Sequence, residues 1–238
     1  MHDTKMDEPG SALTEFQIEV ARLFFELPQS NGFLLAGGAA LVAQNLVQRP
    51  TADLDFFTGV AERTRVARDA LESAVRHRGW TVERIRDADS FCRLVVTGPE
   101  QVVIDIALDA RASLAPTVTL VGPSFAPEEL AARKLIALFD RAEARDFADV
   151  YVLASRFNKW LMLRLATAID AGLEHRILAD MMATLARFRD SEIPLDADEV
   201  PQLRAFFAEW RDELRRDDHS AAPPDASAAD FSKQRNEP

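Results

Sequence analysis

Apolar positions recur at helical spacing in TEFQIEVARLFFEL (14–27), where Thr14 stands as a cap, and in the charged stretch 61–78, closed by Gly79. Between them, NGFLLAGG (31–38) predicts a turn and a short buried strand ending on glycines. AALVAQNLV (39–47) predicts a short helix, and DLDFF (53–57) a strand ended by Thr58-Gly59. Three more strands are predicted in WTVERIRD (80–87), SFCRLVVTG (90–98) and QVVIDIALD (101–109). GPE between the last two reads as a hairpin turn, and TVTLV (117–121) as a further short strand. Past Pro127 the period is helical throughout, over 126–155, 160–188 and 199–216. The pattern predicts an α/β domain over 12–125 and a helical domain over 126–216. Residues 1–11 and the Pro/Ala/Ser-rich stretch 217–238 are expected to be disordered ends. There is no internal repeat.

The 238 residues suffice for one sizeable core or two small domains, and 47% apolar with 28% charged residues is the balance of a soluble globular protein. No apolar run approaches the roughly 18 residues that span a bilayer, so no membrane partner is expected. The opening MHDTKMDEPG is polar and acidic, unlike a secretory signal. Cys92 is the single cysteine, so no intrachain disulfide can form, and a cytoplasmic location is expected. The four histidines are scattered without zinc-like spacing. A net charge of −11 argues against a whole surface that grips nucleic acid, but allows a local basic groove. Arginine is dense over 63–86 and 133–164; solvated helix faces are the simpler reading of both.

Asp53 and Asp55 share one strand face, with Leu54 and Phe56 turned to the other. Two adjacent carboxylates repel and cost desolvation. They suit a divalent cation, or else a solvated strand end. QVVIDIALD repeats the device with Asp105 in mid-strand between isoleucines, where a neighbouring strand carrying the first pair would give the charge a purpose; a wet strand face is the alternative. Asp109, at the strand end, fits that alternative better. Gly37-Gly38, between strand and helix, lets backbone N–H groups approach an anion, or simply makes a tight turn. Farther on, Lys134 borders an apolar stripe with Arg141 on the same side, and Asp146 and Asp149 are three apart. The plain readings are a snorkelling lysine and a helix N-cap.

Together these parts form a pattern: GG, helix, R-x-T-x-D-L-D at Arg49, Thr51, Asp53 and Asp55, a third Asp, KLIALFDR (134–141) and RDFAD (145–149). The pattern resembles the nucleotidyltransferase superfamily with the polymerase-beta-like core. More narrowly it resembles the AbiEii/AbiGii (MenT-type) toxin family, over roughly residues 30–155. The resemblance implies an α+β fold: a mixed sheet with helices, then a helical C-terminal domain. It implies a toxin of a toxin–antitoxin system that moves a nucleoside monophosphate from a nucleoside triphosphate to the 3′ end of tRNA and so blocks translation. An antitoxin encoded nearby would be its partner. In that reading Asp53, Asp55 and Asp105 hold two Mg²⁺ ions, and Lys134 and Asp146 join them as catalytic residues. Gly37, Gly38, Arg49, Thr51, Lys134, Arg141 and Asp149 bind the nucleotide, and arginines of both dense stretches line an RNA groove. A phosphate on Thr51 would crowd the carboxylates. Two alternatives share the core: a small-molecule, aminoglycoside-type nucleotidyltransferase, and a non-catalytic nucleotide-binding partner or antitoxin. The superfamily often has Gly-Ser where this chain has Gly37-Gly38, which removes one hydroxyl contact to phosphate and leaves the backbone contacts.

Overall fold

The computed structural model describes residues 13–220. The expected disordered ends lie outside the described residues, 1–11 entirely and the later stretch from 221 onward; the last helix runs to Ser220. The strands are β1 (Phe33–Ala36), β2 (Asp53–Thr58), β3 (Thr81–Asp87), β4 (Phe91–Thr97), β5 (Gln101–Leu108), β6 (Thr117–Thr119) and β7 (Gly122–Ser124). They form one mixed sheet in the order β3-β4-β5-β2-β1-β7-β6. β2 runs antiparallel to β1 but parallel to β5, and β5 runs antiparallel to β4.

Alternation along the strands divides the sheet into two unlike faces. On β2, Leu54 and Phe56 are fully buried, while Asp53, Asp55 and Phe57 stay partly open. The apolar face is covered by α1 (Glu15–Glu26), whose Phe24 ring stacks on Phe56 with centroids 4.0 Å apart. Beside it, α3 (Arg63–His77) packs over β3, β4 and β5. The start of α1 is fixed by a capping box between Thr14 and Gln17. The Gln17 amide also donates to the Thr51 carbonyl at 2.8 Å, tying this cap to the segment that leads into β2.

The polar face meets α2 (Gly37–Ala43) and α4 (Pro127–Asp140). Pro127 at the first turn, with Glu128 and Glu129 near the positive end of the helix dipole, starts α4. Around α4 stand α5 (Ala144–Ala154), α6 (Lys159–Ile169) and α7 (His175–Ala183), and α8 (Val200–Ser220) closes the bundle against α5 and α7. Phe147 of α5 meets Phe207 of α8 edge to face at 5.1 Å. Buried apolar side chains of sheet and bundle form one continuous cluster. No helix among the described residues is long and apolar enough to cross a membrane.

Several local expectations differ. The helix expected over 39–47 runs instead over Gly37–Ala43, and the stretch 160–188 is two helices, α6 and α7, with 170–174 between them. Two further differences bear on the site. The stretch 126–155, helical in period throughout, is broken at 141–143, where Ala142 adopts φ 47°. Nothing in the apolar period marks that break. Second, TVTLV ends as a strand at Thr119 and folds back into β7, whose Ser124 hydroxyl donates to the Leu35 carbonyl at 3.0 Å. Gly122 and Pro123 read as loop residues, so β7 was not expected.

Phe56→Ala removes a fully buried, stacked ring beneath the carboxylates. It should lower the unfolding free energy by about 3–5 kcal/mol, measured by urea denaturation.

Candidate active site

Strand register builds the site. Ala36 of β1 lies opposite Asp55 of β2, Asp55 opposite Asp105 of β5, and Asp105 opposite Arg93 of β4. Directly opposed residues share a face, so these four form one row across the sheet. Asp53 is two residues earlier on the same face. Immediately after Ala36 the chain turns through Gly37 at φ +61°. A Cβ on Gly37 would lie 1.8 Å from Asp55 Oδ2, and one on Gly38 would lie 2.7 Å from Thr51 Oγ1. The glycines are therefore required for the backbone to pass against the carboxylate row.

Six cationic side chains line the same cleft: Arg49, Arg93, Arg133, Lys134, Arg141 and Arg145. Most are fixed from behind. Asp149, at 1% exposure, accepts from Arg49 Nε at 2.7 Å and Nη2 at 2.6 Å, and pairs with Lys134 Nζ at 2.8 Å. Asp146, fully buried, accepts from Arg141 Nε at 2.8 Å and Nη2 at 2.9 Å, and from the Glu143 backbone N–H at 3.3 Å. The enclosed space is about 170 Å³. That is below the about 300–1,000 Å³ of sites that engulf a drug-sized ligand. A cleft of this size seats the charged end of a ligand and leaves the remainder toward solvent.

The electrostatics follow from this layout. Burial pushes the Asp55 carboxyl up to about 6, and the neighbouring Asp105 and Asp53 push the same way, against the pull of Lys134 and Arg141. Burial would also raise Asp146, but its hydrogen bonds from Arg141 and the Lys134 charge hold it below the usual carboxylate range. Arg141 is raised in turn by that bond to Asp146. Neither Asp53 nor Asp55 makes an ion pair or accepts a hydrogen bond among the described residues, whereas Asp105 takes both its bonds from Arg93.

Of the residues singled out in the sequence, Gly37, Gly38, Arg49, Thr51, Asp53, Asp55, Asp105, Lys134 and Arg141 line this one cleft. Asp146 and Asp149 do not; they lie behind it as anchors for its cations. Asp146 is not an N-cap either: Glu143 caps α5 and Asp146 is its third residue, closing a capping box. Lys134 is buried in ion pairs and not a surface lysine. Asp109 pairs with Arg133 at 2.6 Å outside the row. Arg93 was missed, and Arg133 and Arg145 were noted only within an arginine-dense stretch and the RDFAD motif, with no role in this cleft. A charge inside the apolar run SFCRLVVTG was the available signal for Arg93. Within the first arginine-dense stretch, Arg65, Arg68, Arg76, Arg78 and Arg84 form ion pairs with acids, and none of them lines the cleft.

Solved structures share this fold of a mixed sheet backed by a helical bundle. JHP933 from Helicobacter pylori is 20% identical over 87% of this chain and 97% of its own, with a TM-score of 0.55. MenT4, a nucleotidyltransferase toxin from Mycobacterium tuberculosis H37Rv, is 19% identical over 86% of this chain and 90% of its own, with a TM-score of 0.54. No curated protein matches the sequence. The chain belongs to the family described as nucleotidyl transferase AbiEii toxin, type IV toxin–antitoxin system, which matches residues 20–232. Membership implies a nucleoside triphosphate substrate and a cognate antitoxin.

Two outcomes are expected. Asp55→Asn removes a charge that the fold disfavours. An unfolded Asp titrates near 3.9, so the native state binds the extra proton between about 4 and 6, and stability falls as pH rises through that window. Above pH 6 the variant should melt roughly 2–8 °C higher than the wild type, and the margin should vanish toward pH 4, read by thermal denaturation across pH. Gly37→Ala should fold but lose nucleotidyl transfer by at least about 100-fold, because its methyl displaces Asp55 and a misplaced catalytic group costs that order of rate; circular dichroism beside a transfer assay checks both halves.

Proposed function

We propose that this protein is a cytoplasmic toxin that transfers a nucleoside monophosphate from a nucleoside triphosphate to the 3′ end of tRNA, releasing pyrophosphate and blocking translation. The observation that carries the reading is the Asp53/Asp55/Asp105 row facing Lys134 beside the Gly37 turn, where a Cβ would displace the Asp55 carboxylate. Asp53 and Asp55 offer carboxylates without ion-pair or hydrogen-bond partners among the described residues, hard oxygen donors suited to Mg²⁺. With Asp105 they would hold two ions, which neutralise charge on the attacking and leaving oxygens.

The acceptor hydroxyl oxygen attacks the α-phosphorus. The bond from that phosphorus to the bridging oxygen breaks, and pyrophosphate departs with the electron pair. The hydroxyl proton passes to Asp105 or to water. Backbone N–H groups of Gly37 and Gly38 donate to the β- and γ-phosphates. Lys134, fixed by Asp149, neutralises phosphate charge where it develops. Arg49 and Arg141, each gripped by a buried carboxylate, present the remainder of their guanidinium donors to the nucleotide without reorganising. Asp146 and Asp149 act through these cations as positioning residues.

An RNA acceptor is supported by the six cations that line the cleft, in a chain of net charge −11. Each is paired with an acid. With Asp109, Glu129, Glu143, Asp146 and Asp149 behind the three lining carboxylates, the acids outnumber them eight to six. Attraction of a polyanion here would therefore depend on the divalent ions that the carboxylate row would hold.

Purified protein incubated with Mg²⁺, each labelled nucleoside triphosphate in turn and total tRNA should label tRNA. Asp53→Ala should lower the yield by about 100- to 1,000-fold, the order seen when a charge-stabilising group is lost. Label on aminoglycosides and not on tRNA would replace the acceptor. Triphosphate binding without any transfer would identify a non-catalytic nucleotide-binding protein.

A further inference from the structure

Five of the six cations lining the cleft are held by acids that do not line it: Arg49 and Lys134 by Asp149, Arg141 by Asp146, Arg133 by Asp109 and Glu129, and Arg145 by Glu143. Arg93 differs. Its Nε and Nη2 donate to Asp105 Oδ1 and Oδ2 at 2.7 and 2.6 Å, a two-pronged bond to a carboxylate of the row itself. Register sets this pair directly across β4 and β5. As the side chains stand, no three acidic, histidine or cysteine groups among the described residues converge to hold an ion.

We propose that Arg93 is an exchangeable counter-ion of Asp105: it holds the third carboxylate in the metal-free protein and is displaced when a divalent cation binds. The proposal rests on reading Asp53, Asp55 and Asp105 as metal ligands. The two partners differ in what they can tolerate. The Asp105 side chain is 9% exposed and needs a cation beside it; that of Arg93 is 44% exposed and can be hydrated. The Phe91 ring, 5.8 Å from the guanidinium carbon, offers Arg93 a face to rest against. Exchange therefore strands neither charge. In the metal-free protein the guanidinium relieves the repulsion between Asp105 and Asp55. A divalent ion takes over that role and adds Asp53 and Asp55 to the same cation.

Mn²⁺ binding, followed by the electron paramagnetic resonance of the free ion, tests this without any turnover. Wild type, Arg93→Lys and Arg93→Met are titrated with Mn²⁺ alone. Arg93→Met should bind about tenfold tighter, the factor by which a partly exposed ion pair of about 1.4 kcal/mol competes. Arg93→Lys should bind several-fold tighter, because lysine keeps the charge but lacks the fork. In the wild type, the arginine Nε–H resonance that Arg93→Lys removes should shift when Mg²⁺ saturates the protein. If Arg93→Lys binds like the wild type while Arg93→Met gains, only long-range charge is at work and the exchange is overturned. A resonance that does not move at saturating Mg²⁺ overturns it too. Equal binding by all three proteins overturns the exchange and leaves the metal reading standing. No Mn²⁺ binding by any of them removes both.

Discussion

Two carboxylates facing each other across neighbouring strands, Asp55 and Asp105, impose the central constraint on this molecule. Paired strands lie about 4.8 Å apart, so the charges cannot separate without breaking the sheet. The fold removes none of the repulsion by distance and manages it by surroundings. Arg93 takes both oxygens of Asp105. Lys134 and Arg141 pull on Asp55 from the facing helix and its end. Gly37 brings backbone, and no side chain, against the Asp55 carboxylate. Asp55 is still pushed up to about 6, first by burial and then by Asp105 and Asp53, which Lys134 and Arg141 offset only in part.

The cations that answer this charge depend on a second set of acids, and those depend on a broken helix. Lys134 and Asp149 are fifteen residues apart, so in one straight helix they would stand about 22 Å apart at 1.5 Å per residue. In the structure Lys134 Nζ is 2.8 Å from Asp149. The reversal at 141–143 makes that possible by folding α5 back along α4. Ala142 takes a left-handed conformation that an alanine disfavours. Asp146 compensates locally by capturing both the Glu143 N–H and the Arg141 guanidinium. The same carboxylate thus shapes the turn and fixes a cation of the cleft, which is why a capping role and a functional role for Asp146 do not compete. Because Asp146 and Asp149 are three apart on α5, both reach the same side.

How much of this could be read from the chain depends on the range of the interaction. Alternation in DLDFF and QVVIDIALD separated the carboxylate face from the apolar face, since a strand's period is local. The pairing of β2 with β5, which joins Asp55 to Asp105, spans fifty residues and has no local signature; the carboxylates only made such a pairing sensible. Gly37-Gly38 were readable as a close approach but not as an approach to Asp55. The break at 141–143 was invisible because neither Gly nor Pro marks it, and because the apolar stripe continues on both sides. The plain alternative of Asp146 as a helix cap pointed to a helix start near it but three residues late, since the cap is Glu143. Arg93 went unnoticed in an otherwise apolar strand because its partner is on another strand.

Net charge and local charge also part company here, and the reason bears on selectivity. The molecule carries −11 overall, yet its cleft presents six cations held in place. Away from the cleft, Arg68 and Arg84 sit in an ion-pair cluster with Asp69, Glu72 and Asp87. At physiological ionic strength fields fade over about 8 Å. A polyanion at a distance therefore meets a weakly repelling surface, and only a segment that enters the cleft comes within reach of its cations, each of which is already paired with an acid. On the proposed reading, such a distribution suppresses binding along the body of a nucleic acid and favours capture of an end, which can enter a cleft that a continuous helix cannot. An acidic total charge is then no objection to an RNA acceptor; it restricts where on the protein, and by which part of the RNA, contact is made.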